Sequence, residues 1–468
     1  MRLRLSALIL GLASGSASAE PMLIRDVTVV DVAAGALVPE QSILIDGGVI
    51  GWTGPAAGAP DAAKVIEGNG LFAIPGLWDA HVHVFSSPAE PDTALPAYIL
   101  NGVTGIRDMG AILPLADQRR IAGEVEAGTR IGPRVIVSGA WVDAPPGSWP
   151  GMFLAGTPDE ARARVAEIAA LGYPAVKTYS MLSEEAYVAL ADETRKRGLP
   201  VVGHIPESVT FATMIAAGQA GIEHWDVPRA CTPEEGAMVA RVRAALTAPD
   251  PRAALIAEMA GHNRIVLETF DAALCQRVLA AMAEARVHVT PTLIVADFYT
   301  GKRPAPDDVR MTTLPGAVRA AWDRPDFRLE AMTDDLRALA AESIALDWQT
   351  FRMAHVAGVP IVAGTDASYA NPFIFHGFSL LDELDRYVEA GLTPAQALYT
   401  ATVAPPRFFR LADQDGTIRA GQRADLVLLT GNPLNSLAVL RAPVTVIAKG
   451  RVFDRAALDA IRAQLETK

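Results

Sequence analysis

The feature that most constrains the fold is a regular alternation of short apolar runs with longer amphipathic stretches through the middle of the chain. Eight runs have the length and composition of buried β-strands, and helical segments separate most of them. The eight strand candidates cover residues 74–84, 103–109, 134–142, 175–180, 201–205, 222–225, 288–293 and 361–366. This alternation is typical of a parallel closed barrel, so we predict an α/β fold of the (β/α)8 TIM-barrel type.

Three of the helical segments begin with sequences that favour a helix start. Thr157 is followed by a proline and then by Glu160, which is the pattern of a capping box. Ser183 precedes two glutamates, and Thr393 precedes a proline. These starts place helices between the strand candidates, as a barrel requires.

Both ends of the chain have short β-rich runs separated by turns. We therefore predict a small β-sandwich domain built from residues 20–74 and 415–468, which flanks a barrel of residues 75–414. Connections within the barrel that follow residues 225 and 295 are much longer than ordinary barrel loops. An insertion around residues 227–350 is predicted there.

The first 19 residues have the three parts of a secretory signal: Arg2 and Arg4, an apolar stretch, and Ala-Ser-Ala ending at Ala19. We expect cleavage after Ala19, a secreted or periplasmic location and no membrane span in the mature chain. An oxidising compartment permits a disulfide between Cys231 and Cys275, but the sequence leaves that pairing open. The net charge of −12 argues against a nucleic-acid partner.

The strongest chemical signal is the pair His81 and His83 at the end of the first strand candidate. Alternate residues of a strand project to one face, so both imidazoles point the same way, about 6.6 Å apart along the strand. Two imidazoles so placed are able to bind one metal ion. Taken alone, the pair is also compatible with an exposed polar alternation.

Four other strand candidates end in a residue with metal-binding or catalytic chemistry: Lys177, His204, His224 and Asp366. Barrel enzymes place their catalytic groups at the carboxyl ends of the strands. A buried lysine without a purpose is costly, because burial disfavours its charge. All six residues are therefore predicted to meet at one mouth of the barrel.

This set of residues resembles the amidohydrolase superfamily, specifically its members with two metals. The likeness extends to the runs AIPGLWDAHVHV, GHIPES, AGQAGIEHW and VAGTDA, and to the tail DGTIRAGQRADLVLLTGNPL. It covers essentially the whole mature chain except much of the insertion between His224 and Asp366. The chain is most similar to the subgroup of imidazolonepropionase-like and prolidase-like proteins.

The resemblance implies two divalent metal ions, usually zinc. His81, His83 and Asp366 would hold the buried metal. His204 and His224 would hold the second metal. In this resemblance both metals serve the hydrolysis of amide bonds.

The resemblance also implies that carbon dioxide carboxylates Lys177, which would then bridge the two metals. A hydroxide held between the metals would attack the substrate carbonyl. Asp366 is the predicted catalytic residue, because it would take the proton of the hydroxide and return it to the leaving nitrogen.

Five further residues near the strand ends are candidates for substrate contact: Tyr179, Ser180, Trp225, Arg107 and His376. Tyr179 is equally compatible with an aromatic position on the rim. Arg107 is compatible with a structural ion pair at the barrel mouth as well as with binding a carboxylate.

We weigh four functions against these features. We expect a secreted amidohydrolase that acts on dipeptides or N-acyl amino acids, with a small-molecule or dipeptide substrate as its partner. The alternatives within the fold are a cyclic-amide hydrolase and a one-metal deaminase. Such a deaminase normally has a glutamate three residues after the fifth-strand histidine, as Glu207 stands here, and lacks the bridging lysine. A non-catalytic binding barrel would need none of the six ligands. The sequence leaves open whether the protein forms a homo-oligomer.

Overall fold

The computed structural model describes residues 20–301, 303–305, 307–326, 329 and 333–467, so the predicted signal segment 1–19 lies outside the described residues. The strands are Met22–Asp31, Ala36–Asp46, Val49–Pro55, Lys64–Glu67, Phe72–Pro75, Leu77–Val82, Val103–Asp108, Arg134–Val137, Trp141–Asp143, Phe153–Leu154, Val176–Thr178, Val201–Gly203, Gly221–Glu223, His288–Thr290, Leu426–Leu429, Thr445–Ala448 and Arg451–Phe453.

The α-helices of the described ranges are Pro91–Leu100, Leu115–Glu126, Pro158–Ala170, Glu184–Lys196, Phe211–Ala217, Glu235–Ala245, Pro251–Met259, His262–Thr269, Ala272–Glu284, Val295–Tyr299, Gly316–Trp322, Asp334–Ala357, Ser379–Glu389, Pro394–Thr402, Ala404–Phe408 and Arg455–Glu466. Short 3₁₀ turns cover Ala56–Gly58, Val227–Cys231, Val309–Thr313 and Leu437–Arg441. Within the described ranges, none of these helices combines the length and the apolar character needed to cross a bilayer.

The centre of the chain forms the predicted (β/α)8 barrel. Leu77–Val82 pairs in parallel with Val103–Asp108, which pairs with Arg134–Val137. The parallel order continues through Trp141–Asp143, Val176–Thr178 and Val201–Gly203, and then through Gly221–Glu223 and His288–Thr290. Parallel pairing brings the carboxyl ends of these strands to one side of the barrel, which is where the predicted site residues stand.

The last barrel segment, residues 360–367, joins its neighbours by isolated bridges. One bridge pairs Ile361 with Val289, and another pairs Ala367 with Val82. Between the fifth and sixth barrel strands, the Ala220 amide donates to the Val201 carbonyl at 2.8 Å. The two bridges and this hydrogen bond therefore connect barrel segments that are not joined by a continuous strand ladder.

Two strand candidates of the sequence are each divided in the structure. The run 74–84 changes sheet at Gly76, where a Cβ would collide with the Thr104 side chain. The run 134–142 is interrupted at residues 138–140, where Gly139 lies so close to Gly110 that a Cβ would come 2.8 Å from its Cα. Apolar composition alone does not reveal such close approaches. Each of these runs was therefore predicted as one strand, although the structure divides it into two.

Both termini contribute to the small β-sandwich domain, as predicted. Its strand order begins with the chain's last strands and passes through Leu426–Leu429 and Phe72–Pro75 to the N-terminal strands. Met22–Asp31 pairs in parallel with Lys64–Glu67 at one end and with Phe72–Pro75 at the other. Apolar side chains from both termini share its core, for example Ile24, Ile43, Leu426 and Ile447.

The region predicted as an insertion is largely helical where it is described. Cys231 and Cys275 form a disulfide that ties the turn Val227–Cys231 to the helix Ala272–Glu284. The three predicted helix starts are confirmed: Thr157 and Thr393 each form a capping box, and Ser183 accepts a hydrogen bond from the Ala186 amide.

Candidate active site

Five of the six predicted ligands line one cavity of about 570 Å³ at the carboxyl ends of the barrel strands: His83, Lys177, His204, His224 and Asp366. The sixth, His81, is fully buried behind them. The structure therefore brings together all six side chains that the sequence selected.

His81, His83 and Asp366 form the tightest group in this cluster. The Asp366 Oδ1 atom lies 3.3 Å from His81 Nε2 and 3.0 Å from His83 Nε2. The two Nε2 atoms are themselves 3.3 Å apart. Donor atoms of His81, His224 and Asp366 also lie within 4.8 Å of one another, so His224 approaches the same centre.

Hydrogen bonds fix which nitrogen of each imidazole faces the centre. His81 Nδ1 lies 2.9 Å from the Glu223 carboxylate, and His83 Nδ1 lies 2.8 Å from the Gly110 carbonyl. Because these oxygens accept hydrogen bonds, each Nδ1 carries a proton and each Nε2 faces the centre. Acceptors placed behind histidine ligands do this in many metal sites.

The other two histidines are held in a similar way. His224 Nδ1 is 2.8 Å from the Thr292 hydroxyl, and His204 Nδ1 is 3.3 Å from the Ser180 hydroxyl. The ring centroids of His204 and His224 are 4.8 Å apart, and those of His81 and His224 are 4.9 Å apart. The four imidazoles thus form one continuous group.

Two of the site residues adopt a left-handed backbone conformation. His224 has a φ of 69° and Asp366 a φ of 61°. Non-glycine residues rarely adopt this conformation, and it is most common at functional sites. At His224 this conformation interrupts the strand alternation. The Glu223 side chain therefore contacts His81, and the His224 side chain still faces the cavity.

Burial sets the protonation of the site. It lowers the pKa of His81, His204 and His224, which leaves these imidazoles neutral and able to act as ligands. Burial by itself raises the pKa of Asp366, but the surrounding imidazoles outweigh burial and the pKa is lowered overall. The Asp366 carboxylate is therefore ionised, and Asn371 donates to its Oδ2 at 3.0 Å.

Lys177 is 1% exposed and stands on the strand Val176–Thr178. Its Nζ lies 5.6 Å from the centre of the Trp141 ring and 5.9 Å from that of Tyr179. Burial lowers its pKa to about 8. At pH 7 about a tenth of the amine is therefore neutral.

Two of the five predicted substrate contacts line the cavity. Tyr179 stacks on His204 with ring centroids 4.1 Å apart, and its hydroxyl accepts a hydrogen bond from Trp149 Nε1 at 2.8 Å. Trp225 also lines the cavity, and its Nε1 donates to the Thr350 hydroxyl at 3.0 Å.

The other three predicted contacts, Ser180, Arg107 and His376, are not among the described residues that line the cavity. Ser180 supports His204, as described above. Arg107 is 2% exposed and donates to Glu223 at 2.7 Å and to the Ala80 carbonyl at 2.6 Å, so it forms a buried ion pair with Glu223. His376 is buried against Glu90.

Sequence reasoning missed several residues of the site. Glu223 contacts His81 from behind. Glu90, Trp149, Tyr299 and Asp347 line the cavity. Glu223 stands next to a predicted ligand, but strand alternation assigned it to the opposite face. Glu90, Tyr299 and Asp347 carry no local signal, because only the folding of distant segments brings them to the barrel mouth.

Comparisons with known proteins agree with this geometry. A sequence profile of the Amidohydrolase family matches residues 72–453. Curated relatives include an adenine deaminase of Deinococcus deserti, 30% identical over 158 residues, which are 33% of this chain and 26% of that protein. Another is an adenine deaminase of Ruegeria pomeroyi, 33% identical over 123 residues, or 25% of this chain and 20% of that protein. The matched part thus spans about a quarter or less of these relatives.

Solved structures share the fold over nearly the whole chain. A putative prolidase from Bifidobacterium longum has a TM-score of 0.66 at 24% identity and covers 95% of this chain and 99% of its own. A bottromycin amidohydrolase has a TM-score of 0.73 at 24% identity, with 95% and 89% covered. A Xaa-Pro dipeptidase with bound methionine has a TM-score of 0.64 at 20% identity, with 93% and 100% covered. Since the family profile matches most of the sequence, the chain belongs to the amidohydrolase family.

Proposed function

We propose that the protein is a metal-dependent hydrolase of amide bonds in small acyl compounds, namely dipeptides or N-acyl amino acids. The observation that carries this proposal is the meeting of four imidazoles, the Lys177 amine and the Asp366 carboxylate at one cavity. A purely structural barrel has no use for this combination, because each of these groups is costly to bury.

The donors at the site fit a pair of divalent metal ions, with zinc as the proposed metal. Neutral imidazoles and a carboxylate are ligands that zinc prefers, and here their protonated nitrogens are turned away from the centre. His81, His83 and Asp366 would hold one ion, and His204 and His224 the other. Such a pair supplies Lewis acidity and lowers the pKa of water.

Lys177 is proposed to complete the ligand set as a carbamate. Its neutral amine attacks carbon dioxide, the new N–C bond forms, and one proton leaves to solvent. Burial favours this reaction, because it lowers the pKa of the amine to about 8. The product carries a negative charge that is suited to bridging two cations.

Asp366 is proposed as the group that moves the proton. Its carboxylate is ionised and oriented by Asn371, and it borders the same cavity as the metal ligands. It is therefore placed to accept a proton from the attacking water and to deliver that proton to the leaving nitrogen of the amide.

The cavity wall supports a substrate with a bulky apolar group. Large aromatic side chains make up much of it: Trp141, Trp149, Tyr179, Trp225, Tyr299 and Tyr369. Rigid aromatic walls favour rings and branched side chains. The names of two solved structures with the same fold, a putative prolidase and a Xaa-Pro dipeptidase, also support the dipeptide class.

We also propose that the protein acts outside the cytoplasm. The signal-like residues 1–19 support this location, as does the disulfide between Cys231 and Cys275, since such bonds persist in oxidising compartments.

The deaminase alternative derives some support from the adenine deaminases among the relatives. That function would use Glu207 at the cavity, but Glu207 is not among the described residues that line it. Burial raises the pKa of Glu207 to about 7, and the charge of Arg229 opposes this shift. The hydrolase is therefore the function that the geometry supports better.

The decisive experiment combines metal analysis with a substrate panel. The protein is prepared with zinc and bicarbonate and tested on dipeptides, acyl-proline, acyl-lysine, acyl-arginine and adenine. We expect about two equivalents of metal by plasma emission and cleavage of amides. One equivalent together with ammonia release from adenine would establish the deaminase instead, and metal-free protein without turnover would exclude both.

The same experiment includes two matched carboxylate variants. Asp366→Asn is expected to lower kcat by about 10²–10⁴-fold, because proton transfer is lost. Glu207→Gln changes a half-buried carboxyl group that does not line the described cavity, and this variant should keep its turnover. Full turnover by Asp366→Asn with both metals bound would contradict the proposed proton transfer.

A further inference from the structure

The cavity has an unequal distribution of charge around its wall. Among the described residues that line it, the acidic ones are Glu90, Asp347 and Asp366, and the basic one, apart from histidines, is Lys177. The proposed function assigns Lys177 and Asp366 to the metal centre. No arginine lines the described part of the wall, so a substrate carboxylate has no guanidinium to bind there.

Glu90 is the acidic residue that this chemistry leaves unused. Burial raises the pKa of Asp347 to about 8, which keeps it largely protonated at neutral pH. Glu90 stands directly before the helix Pro91–Leu100 and is 0% exposed. It is thus a buried carboxyl group at a cavity with many aromatic side chains in its wall.

One oxygen of Glu90 is held by the protein and the other is not. Glu90 Oε1 accepts hydrogen bonds from the Tyr369 amide at 2.7 Å and from His376 Nε2 at 2.9 Å. Glu90 Oε2 is buried and has no hydrogen-bond partner among the described residues. A buried carboxylate oxygen without a donor is costly, so it calls for a ligand that supplies one.

The residues behind Glu90 fix this orientation. Tyr98 lies with its hydroxyl 2.9 Å from His376 Nδ1. The hydroxyl donates to Nδ1, and the opposite ring nitrogen donates to Glu90 Oε1. Tyr98 and His376 are therefore positioning residues, which keep Oε1 occupied, while Oε2 has no donor among the described residues.

We propose that Glu90 binds the protonated amino group on the acyl part of the substrate, so that the enzyme selects aminoacyl amides with a free amine over N-acylated compounds. This inference rests on the proposed function and chooses between its two substrate classes. An ammonium group supplies N–H donors and a positive charge, and charge-assisted hydrogen bonds of this kind are the strong ones. An N-acyl group carries no charge that would compensate the carboxylate.

The test uses two substrates with the same scissile bond. L-leucyl p-nitroanilide has a free ammonium, and N-acetyl-L-leucyl p-nitroanilide does not. We expect wild-type kcat/KM to favour the free amine by about 10- to 100-fold, the effect of one hydrogen bond to a charged group. In Glu90→Gln that ratio should fall toward one, whereas Asp347→Asn, a matched change on the same wall, should keep it.

Binding supplies a measurement that does not depend on turnover. By calorimetry, L-leucinamide should bind the wild-type protein more tightly than N-acetyl-L-leucinamide, and Glu90→Gln should remove the difference. The wild-type comparison alone tests the inference if Glu90→Gln does not fold.

The possible outcomes separate the two proposals. Equal cleavage of both anilides, with an unchanged ratio in Glu90→Gln, overturns the role of Glu90 and leaves the amide hydrolase intact. Cleavage of neither anilide, with preferential binding of L-leucinamide, removes the hydrolase and keeps the amine site. Absence of both preferential binding and cleavage removes both.

Discussion

At the scale of single residues, the site depends on groups that never reach the cavity. Glu223 is fully buried and contacts His81 at 2.9 Å and Arg107 at 2.7 Å. The guanidinium compensates the charge of the carboxylate, and the carboxylate in turn fixes the tautomer of the imidazole. The sequence predicted that Arg107 contacts the substrate or forms a structural ion pair. In the structure it acts on the site through Glu223 and His81.

Glu223→Gln is predicted to weaken metal binding by about 10- to 100-fold, because a neutral amide holds the His81 proton less strongly. The measurement is zinc affinity in competition with a chelator. Glu207→Gln, a change at a half-buried carboxyl group that does not line the described cavity, serves as the control and should bind zinc as the wild type does. Equal zinc affinity in Glu223→Gln would show that Glu223 has no influence on the site.

Lys177 gives a prediction about stability and pH in the metal-free protein. Its pKa is about 8 in the folded chain, compared with an ordinary value of 10.5. Between these two values the unfolded chain binds more protons, so the free energy of unfolding rises with pH across this window. Below pH 8 the full cost of about 3 kcal/mol is present.

Lys177→Met should therefore stabilise the metal-free protein at pH 7 by up to about 3 kcal/mol, with a smaller advantage toward pH 10.5. Urea unfolding with a chelator and without bicarbonate measures this difference. The exposed residue Lys196 provides the control, because Lys196→Met should change stability by no more than about 0.5 kcal/mol. A constant difference across the pH range would contradict burial as the cause.

At the scale of elements, the barrel strands bring their carboxyl ends together and the inserted helices shape the cavity above them. Trp225 follows the sixth barrel strand, and Tyr299 ends the helix Val295–Tyr299. Strand positions were visible in the sequence because apolar runs alternate with capped helices. The arrangement of the helices in the insertion was not visible in the sequence, because these helices pack through contacts between distant segments.

The disulfide is predicted to hold the start of this insertion. It closes a segment with a sequence separation of 44 residues, and both cysteines are fully buried. Replacing both cysteines with alanine should lower the free energy of unfolding by about 4 kcal/mol, chiefly by releasing the unfolded chain. Urea unfolding tests this, and reduced wild-type protein should unfold like the double variant. Identical midpoints for oxidised and reduced protein would refute it.

At the scale of the whole molecule, the segments at the two ends of the described chain pair with each other next to the barrel. Leu426–Leu429 pairs antiparallel with Phe72–Pro75, directly before the first barrel strand. The last helix, Arg455–Glu466, then packs against Pro91–Leu100, the helix that follows Glu90. This last helix was not predicted from the sequence, although Leu458, Ile461 and Leu465 have helical spacing.

Ile461→Ala is predicted to lower the free energy of unfolding by about 2–5 kcal/mol, because it leaves a cavity between these two helices. Val356, which is 83% exposed, supplies the control. Val356→Ala should change stability by no more than about 0.5 kcal/mol. Denaturant unfolding measures both, and equal effects would mean that the last helix does not bury Ile461 in solution.

The sequence by itself determined the barrel, the sharing of the small domain between the termini, and the six side chains at the strand ends. These features are readable because hydrophobic periodicity and the position at a strand end are local properties. Only the tertiary structure decided which atoms face one another. The left-handed backbone at His224 and Asp366, the Arg107–Glu223–His81 contacts and the free oxygen of Glu90 all depend on segments far apart in the chain. Local patterns carry no record of such distant contacts, because packing and burial arise only when those segments come together.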